Sequence, residues 1–462
     1  MSVTRHYDLF ILGAGSGALA LGRATRGLTR GIADPGPYGG TCLNRGCIPT
    51  KMLLHAAALA GEAADAAALG VDLAVESVRW TDIRDRVFGR IDPKAAGSPA
   101  ALADKGIDAY AAPARFVGPR RLIVDQPGGP VWVEADRVVL ATGAHPVIPP
   151  LVADSGVPYE TSDTIMRLDS VPRRLLILGG GVVGLEMAQL FSDLGSEVTI
   201  VSRSIGIQKH VGEDIARRLT SILSARWALH LDGEITGLER VGDEVRGRLA
   251  DGTVLAADTL LVAAGRRPTT DDLGLDLAGV DVDAASGRVL IDGYGRTSAE
   301  GVWALGDVAA KPQLKHLAND HARTVTHNLL HPSDPKPLRD KAIPAAMFTR
   351  PQVAWVGASP DAARADGMDA VAFTQRLGDT AYGWALEDTT SVCTVVARRG
   401  DGVVLGAQLM APMASSLIQP LIDAVARGLT ADDAATTPMW IHPAASELVE
   451  NALIGAARAA AR

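Results

Sequence analysis

An α/β chain built on two Rossmann-like nucleotide-binding units is the fold that the sequence predicts, and three observations predict it. Two glycine fingerprints, Gly13-Ala14-Gly15-Ser16-Gly17-Ala18 and Gly179-Gly180-Gly181-Val182-Val183-Gly184, each stand between an apolar run and a helical one. At 462 residues the chain is too long for a single hydrophobic core, which implies roughly two to four domains. Its hydrophobic share of 47% against 21% charged residues is that of an ordinary globular protein, and no stretch reaches the ~18 unbroken apolar residues that a membrane span needs.

In chain order, Tyr7 to Leu12 read as a buried strand, and an alanine-rich helical stretch leads from the first fingerprint to about Thr25. Gly13 permits the tight turn, Gly15 lets a pyrophosphate approach the backbone, and Ala18 is small enough for close helix packing. The helix amino terminus then offers N–H donors to the phosphates. Asp34, 21 residues beyond Gly13, stands where a carboxylate accepts hydrogen bonds from a ribose diol.

Directly behind comes Gly39-Gly40-Thr41-Cys42-Leu43-Asn44-Arg45-Gly46-Cys47-Ile48-Pro49-Thr50-Lys51, which sets a potential dithiol beside a bound cofactor. Regular helix geometry holds Cα atoms five residues apart at roughly 8 to 9 Å, outside the ~4.4 to 6.8 Å that a disulfide tolerates. If Cys42 and Cys47 pair, the helix is irregular there, and Gly46 is the residue that permits it. A disulfide held in such a turn is more easily reduced than a structural staple. The other reading of a bare C-x4-C is two unrelated buried thiols.

The second unit begins at Arg174, with a strand from Leu175 to Leu178, a helix from Leu185 to about Leu194 and a strand from Glu197 to Val201. Two such units imply two dinucleotides, and two dinucleotides imply hydride relay. An acid at the end of the last strand favours NAD, but the sequence reads Val201-Ser202-Arg203, followed by Lys209. Two cations can meet a 2′-phosphate, so NADPH is expected; solvated surface charge is the other reading of both. Two strand-then-glycine segments, Val138 to Gly143 and Leu260 to Pro268, mark where the chain passes between nucleotide domains. Asp307, at the end of the run Val302-Trp303-Ala304-Leu305-Gly306, can accept hydrogen bonds from the hydroxyls of a flavin's ribityl chain; taken singly, these three segments read as ordinary strand ends.

A formal charge of −8 offers no general basic surface, so neither nucleic acid nor an anionic membrane is an expected partner. No spacing of His, Cys, Asp and Glu suits a metal, and none is expected. Three cysteines, two of them within six residues, make no disulfide framework, and Met1 to Asp8 lacks an apolar signal core. A cytoplasmic protein is expected. Cys393 lies in an apolar run and reads as a packed thiol.

The motifs occur in a telling order: first fingerprint, dithiol run, Ala141-Thr142-Gly143, second fingerprint, Gly265-Arg266-Arg267-Pro268, Ala304-Leu305-Gly306-Asp307, and a terminal His442-Pro443 with Glu447. In that order, and over essentially the whole length, the chain resembles the pyridine nucleotide-disulfide oxidoreductase family. The resemblance implies an FAD-binding domain over residues 1–155, an NADPH-binding domain over 156–280, a return to the FAD-binding, central part over 281–342 and a C-terminal α+β dimerisation domain over 343–462. It implies cofactor contacts from Gly13, Gly15, Ala18, Asp34, Thr41, Lys51, Thr142, Gly143, Asp307, Gly179, Gly181, Gly184, Arg203, Lys209 and Gly265.

The resemblance also assigns roles. Cys42 becomes the attacking thiol, Cys47 the thiol nearer the flavin, and His442 the base that Glu447 orients. Lys51 and Glu186 become a buried, redox-coupled ion pair near the flavin, an exposed surface pair being the other reading. The implied assembly is a homodimer with shared active sites, in which His442 serves the other subunit's dithiol. Segments such as Val78-Arg79-Trp80-Thr81-Asp82, Ala381-Tyr382-Gly383-Trp384 and Trp440-Ile441-His442-Pro443 narrow the resemblance to the branch that reduces mycothione, the disulfide of mycothiol. Reduction of glutathione disulfide or another small-molecule disulfide, and a flavin-bearing redox-sensing module, are the alternatives. Two departures stand out. Val182 replaces a flavin-shielding tyrosine, and Lys315-His316 replaces Thr-Pro at the start of the helix that faces the flavin. His316 reads either as a cation complementing the reduced flavin or as a packed histidine.

Overall fold

The structure, a computed structural model, describes residues 4–462 apart from the side chain of Ala64; residues 1–3, part of the amino-terminal stretch considered above, lie outside the described residues. The chain divides into two compact units, one formed from Met1–Thr50, Asp82–Val147 and Gly265–Arg339, the other from Lys51–Thr81, Ile148–Ala264 and Asp340–Arg462.

In the first unit a five-stranded sheet runs, in spatial order, Val302–Ala304, Val138–Leu140, Leu9–Leu12, Arg30–Ala33 and Ile107–Tyr110, with every neighbouring pair parallel. Leu9–Leu12 is central and all four of its residues are buried. Its unbroken apolar run follows from that place, because a parallel sheet packs on both faces. The strand begins at Leu9 rather than at Tyr7, since Asp8 accepts hydrogen bonds from the Thr29 N–H and hydroxyl, both at 2.7 Å. Tyr7 ends a separate strand, Thr4–Tyr7, which pairs with Val131–Ala135 in a second sheet that continues through Arg121–Val124 to Ala114–Gly118. Phe10, Leu12 and Leu140 of one sheet share a core with Phe116 and Leu122 of the other. The helix expected after the first fingerprint is instead a pair of 3₁₀ turns, Ser16–Leu21 and Arg23–Thr25. Gly22 interrupts it, and the Thr25 hydroxyl, donating to the carbonyls of Ala20 and Gly22, tightens the chain on the far side.

The second unit holds a four-stranded parallel sheet, ordered Ala228–Leu231, Glu197–Ser202, Arg174–Leu178 and Thr259–Val262, and the helix Val182–Asp193 follows the second fingerprint. It also holds a five-stranded antiparallel sheet, ordered Ala345–Met347, Gln352–Gly357, Val404–Ala411, Val392–Arg398 and Ala370–Arg376. The helix Glu447–Ala460 buries Leu448, Val449, Ala452, Leu453 and Ala456 at the three-and-four spacing of one helical face. Gly455 backs onto Phe373 so closely that a Cβ there would stand 2.2 Å from the ring. Cys393 is fully buried in this core, and burial pushes its thiol up, so it is a packed residue. No helix among the described residues is long and apolar enough to cross a membrane.

Candidate active site

The two fingerprints fold alike. Gly13 has φ 105° and a Cβ there would lie 2.2 Å from the Ala141 carbonyl oxygen; Gly179 has φ 121° and its Cβ would lie 2.3 Å from that of Ala263. Each turn presses on the end of a neighbouring strand, and only glycine fits. At Gly184 a Cβ would meet the Gly179 carbonyl at 2.1 Å, which draws the helix Val182–Asp193 onto its turn, whereas at Gly181 nothing lies within 4 Å. The backbone at that helix start therefore admits a phosphate at close range. Arg203 and Lys209 are exposed beyond the strand Glu197–Ser202, and Lys209 lies in the first turn of the helix Gln208–Ser224 rather than in a loop.

In the first unit Asp34 accepts the Ala14 N–H at 2.6 Å and the Gly36 N–H at 2.7 Å. It pins the turn, a duty that the sequence reading did not include. Ala18 is half-buried in the 3₁₀ turn that follows. Asp307 belongs to the short turn Gly306–Val308, and among the described residues its carboxylate accepts no hydrogen bond. Burial pushes its carboxyl up, against the opposing pull of Arg266 and Lys315. A half-buried acceptor without donors fits the hydroxyls of a ribityl chain, and with the glycine turns this makes the unit a fit for FAD. Thr142 donates to the Thr269 carbonyl at 2.6 Å, Gly143 accepts from the Thr269 N–H at 2.9 Å, and Gly265 accepts from the Val147 N–H at 2.9 Å. These bonds lace the two crossover segments together.

Around the dithiol, Gly40–Arg45 is helical, Gly46 leaves the helix at φ −141° and ψ −123°, and the helix Cys47–Ala66 begins anew. The separation of a regular helix therefore does not apply. Cys42 is half-buried, Cys47 is exposed, and both are thiols. A hydrogen bond from the Cys47 thiol holds Cys42 down to about 7, helped by Lys315 and the Cys47 N–H and opposed by burial and Asp307. The same bond, with burial, pushes Cys47 up, so the pair loses one proton easily and keeps the other. Thr41 lies in the first helix, half-buried. Asn44, passed over in the sequence reading, is 3% exposed and donates to the carbonyls of Pro37, Tyr38 and Gly40 at 3.1, 3.0 and 3.0 Å. It ties the dithiol helix to the preceding loop. The available signal was an amide among turn residues, the side chain best able to satisfy loop carbonyls.

In the second unit, Lys51 and Glu186 converge on Phe348. The Lys51 ammonium lies 4.0 Å from the ring centroid, while Glu186 accepts the Phe348 N–H at 3.0 Å. Lys51 is exposed, and Glu186 acts on it electrostatically while also binding backbone. Partial desolvation pushes the Lys51 ammonium down, against Glu186. Further along the same helix, Asp193, its side chain 4% exposed, receives Arg226 at 2.7 Å and Arg350 at 3.0 Å. His442 Nδ1 and Glu447 Oε1 are 2.6 Å apart at the start of the helix Glu447–Ala460, with the imidazole exposed and the carboxylate largely buried. Glu447 claims Nδ1, which leaves Nε2 as the ring's working nitrogen.

Comparison with known proteins agrees with this chemistry. The family described as "Pyridine nucleotide-disulphide oxidoreductase" matches residues 7–322, and its "dimerisation domain" matches residues 343–453. Mycothione reductase of Mycobacterium tuberculosis is 44% identical over 458 residues, covering 97% of this chain and 99% of the relative. Dihydrolipoyl dehydrogenase of Halobacterium salinarum is 32% identical over 460 residues, covering 95% and 94%. Among solved structures, the HOCl-induced flavoprotein disulfide reductase RclA of Escherichia coli is similar with a TM-score of 0.85 at 26% identity, covering 97% of this chain and 99% of that one.

Proposed function

Because this chain belongs to the pyridine nucleotide-disulphide oxidoreductase family, an enzyme with FAD and NADPH as cofactors, we propose that its substrate is mycothione, the disulfide of mycothiol. The thiol contact from Cys47 to Cys42 across the break at Gly46 carries the disulfide chemistry. The likeness to mycothione reductase over both full chains supports the choice of disulfide.

Bound FAD and NADPH supply the two electrons that open the Cys42–Cys47 disulfide. Opening takes up one proton, which the Cys47 thiol shares with a Cys42 thiolate. Cys42 attacks one substrate sulfur, forms a mixed disulfide with that half and expels the other half as a thiolate, which is protonated by the partner subunit's His442. Glu447 orients the imidazolium and stabilises its charge for that transfer. Cys47 then passes its proton to the partner subunit's His442 and attacks Cys42, which restores the intramolecular disulfide and frees the second half as a thiolate that takes up that proton. Two electrons and two protons convert one substrate disulfide to two thiols. Lys51 and Glu186 serve the redox ring of FAD, Asp307 its ribityl chain, and Arg203 with Lys209 the 2′-phosphate of NADPH. The enzyme works as a homodimer in the cytoplasm, where the reducing pool suits its thiols.

The test compares disulfides under NADPH. A kcat/KM for mycothione at least about a hundredfold above that for glutathione disulfide is expected, because a site built around one substrate's polar groups rejects a substrate lacking them by orders of magnitude. Equal or better turnover of glutathione disulfide would overturn the substrate assignment.

A further inference from the structure

One cation of the first unit, which acts on both Cys42 and Asp307, has no step assigned to it in the reaction above. Lys315 opens the helix Lys315–Leu330, and its Nζ donates to the Ser16 hydroxyl at 2.9 Å, which in turn donates to Asn319 Oδ1 at 3.0 Å. Ser16 belongs to the first glycine turn, and so does the ground on which the dithiol helix stands. The Gly39 N–H donates to the Ala14 carbonyl at 3.0 Å, and a Cβ on Gly40 would lie 2.8 Å from the Gly15 Cα. Gly40 is the first residue of the helix that carries Cys42. The anchor of Lys315 and the base of the dithiol are therefore joined to the same three residues, Ala14 to Ser16, and the ammonium acts electrostatically on both sulfurs.

We propose that Lys315, held by Ser16, which Asn319 in turn anchors, is the cation that stabilises the Cys42 thiolate once the dithiol is open. The proposal rests on the disulfide-reductase reading and deepens it. Opening the disulfide adds two electrons and one proton, so the sulfur pair gains one negative charge. The charged groups that face Cys42 in this unit are Lys315, which attracts that charge, and Asp307, which repels it and is itself offset by Arg266. Take away Lys315 and the balance at Cys42 favours the neutral thiol.

The experiment uses the FAD-loaded enzyme with its disulfide opened by a phosphine reductant, and follows alkylation of Cys42 by iodoacetamide across pH by mass spectrometry. K315M and K315Q are each expected to raise the midpoint by about one pH unit, the low end of what a neighbouring opposite charge does to an acid. K315R is expected to leave it within roughly 0.3 unit, because the charge is kept. An unchanged midpoint in either neutral variant overturns the proposal. So does a K315R shift as large as that of K315M, which would assign the effect to packing. The phosphine makes the readout independent of NADPH and of any substrate, so a failure to turn over mycothione would sink the substrate assignment and leave this result standing.

Discussion

Cys42 concentrates the chemistry at the scale of single residues. Its hydrogen bond from Cys47 holds it at about 7, against ~8.5 for a free cysteine. A depressed acid is ionised above its midpoint and neutral below it. Alkylation of Cys42 in the reduced enzyme should therefore be near maximal above neutrality and fall away as pH drops through about 7, and Cys47→Ala should move that fall upward. A wild-type midpoint left at ~8.5 would deny the thiol contact. His442 makes a separate forecast. With Nδ1 taken by Glu447 at 2.6 Å, its loss in His442→Ala should lower disulfide turnover by roughly 10² to 10⁴ while NADPH still opens the dithiol in a single turnover. Equal losses in both steps would place His442 elsewhere in the cycle.

At the scale of elements, the short helix Gly40–Arg45 depends on Asn44. Asn44→Ala leaves three loop carbonyls without their donor and should cost about 1 to 3 kcal/mol, seen as a lower unfolding midpoint and a looser, more readily alkylated dithiol. The helix Val182–Asp193 makes a parallel case in the other unit. Glu186 and Gln189 accept the N–H groups of Phe348 and Arg350, and Asp193 receives two guanidinium groups. Asp193→Ala removes the buried carboxylate between two guanidinium groups, leaving Arg350 with Asp65 and Arg226 with Gln189, and should destabilise this unit by about 3 kcal/mol in denaturant unfolding. A loss below 0.5 kcal/mol would show the cluster to be solvated. Elements were legible where composition is restrictive. The second fingerprint announces its helix because strand, glycines and apolar spacing agree; the first does not, because Gly22 and the Thr25 hydroxyl divert the backbone into 3₁₀ turns that no periodicity foretells.

For the whole molecule the dimerisation domain sets the question. Met439 is 98% exposed, Ile441 74% and Trp384 70%, and the first two lie just before His442 in sequence. Apolar side chains so exposed beside His442 suit burial by a second copy. Mixing Cys42→Ser with His442→Ala chains should restore about a quarter of wild-type turnover after subunit exchange, since half the dimers then hold one complete site of two; heterodimers without activity would refute shared sites. By itself the sequence determined the two nucleotide turns, the thiol pair and the family, because glycines and cysteines at short spacing constrain the backbone within a few residues. Only the tertiary structure decided that Lys315 meets Ser16 across 299 positions and that Glu186 meets Phe348 across 162. Such pairs are made by chain segments that folding brings together, and a contact between distant segments leaves no spacing or period in the sequence to read.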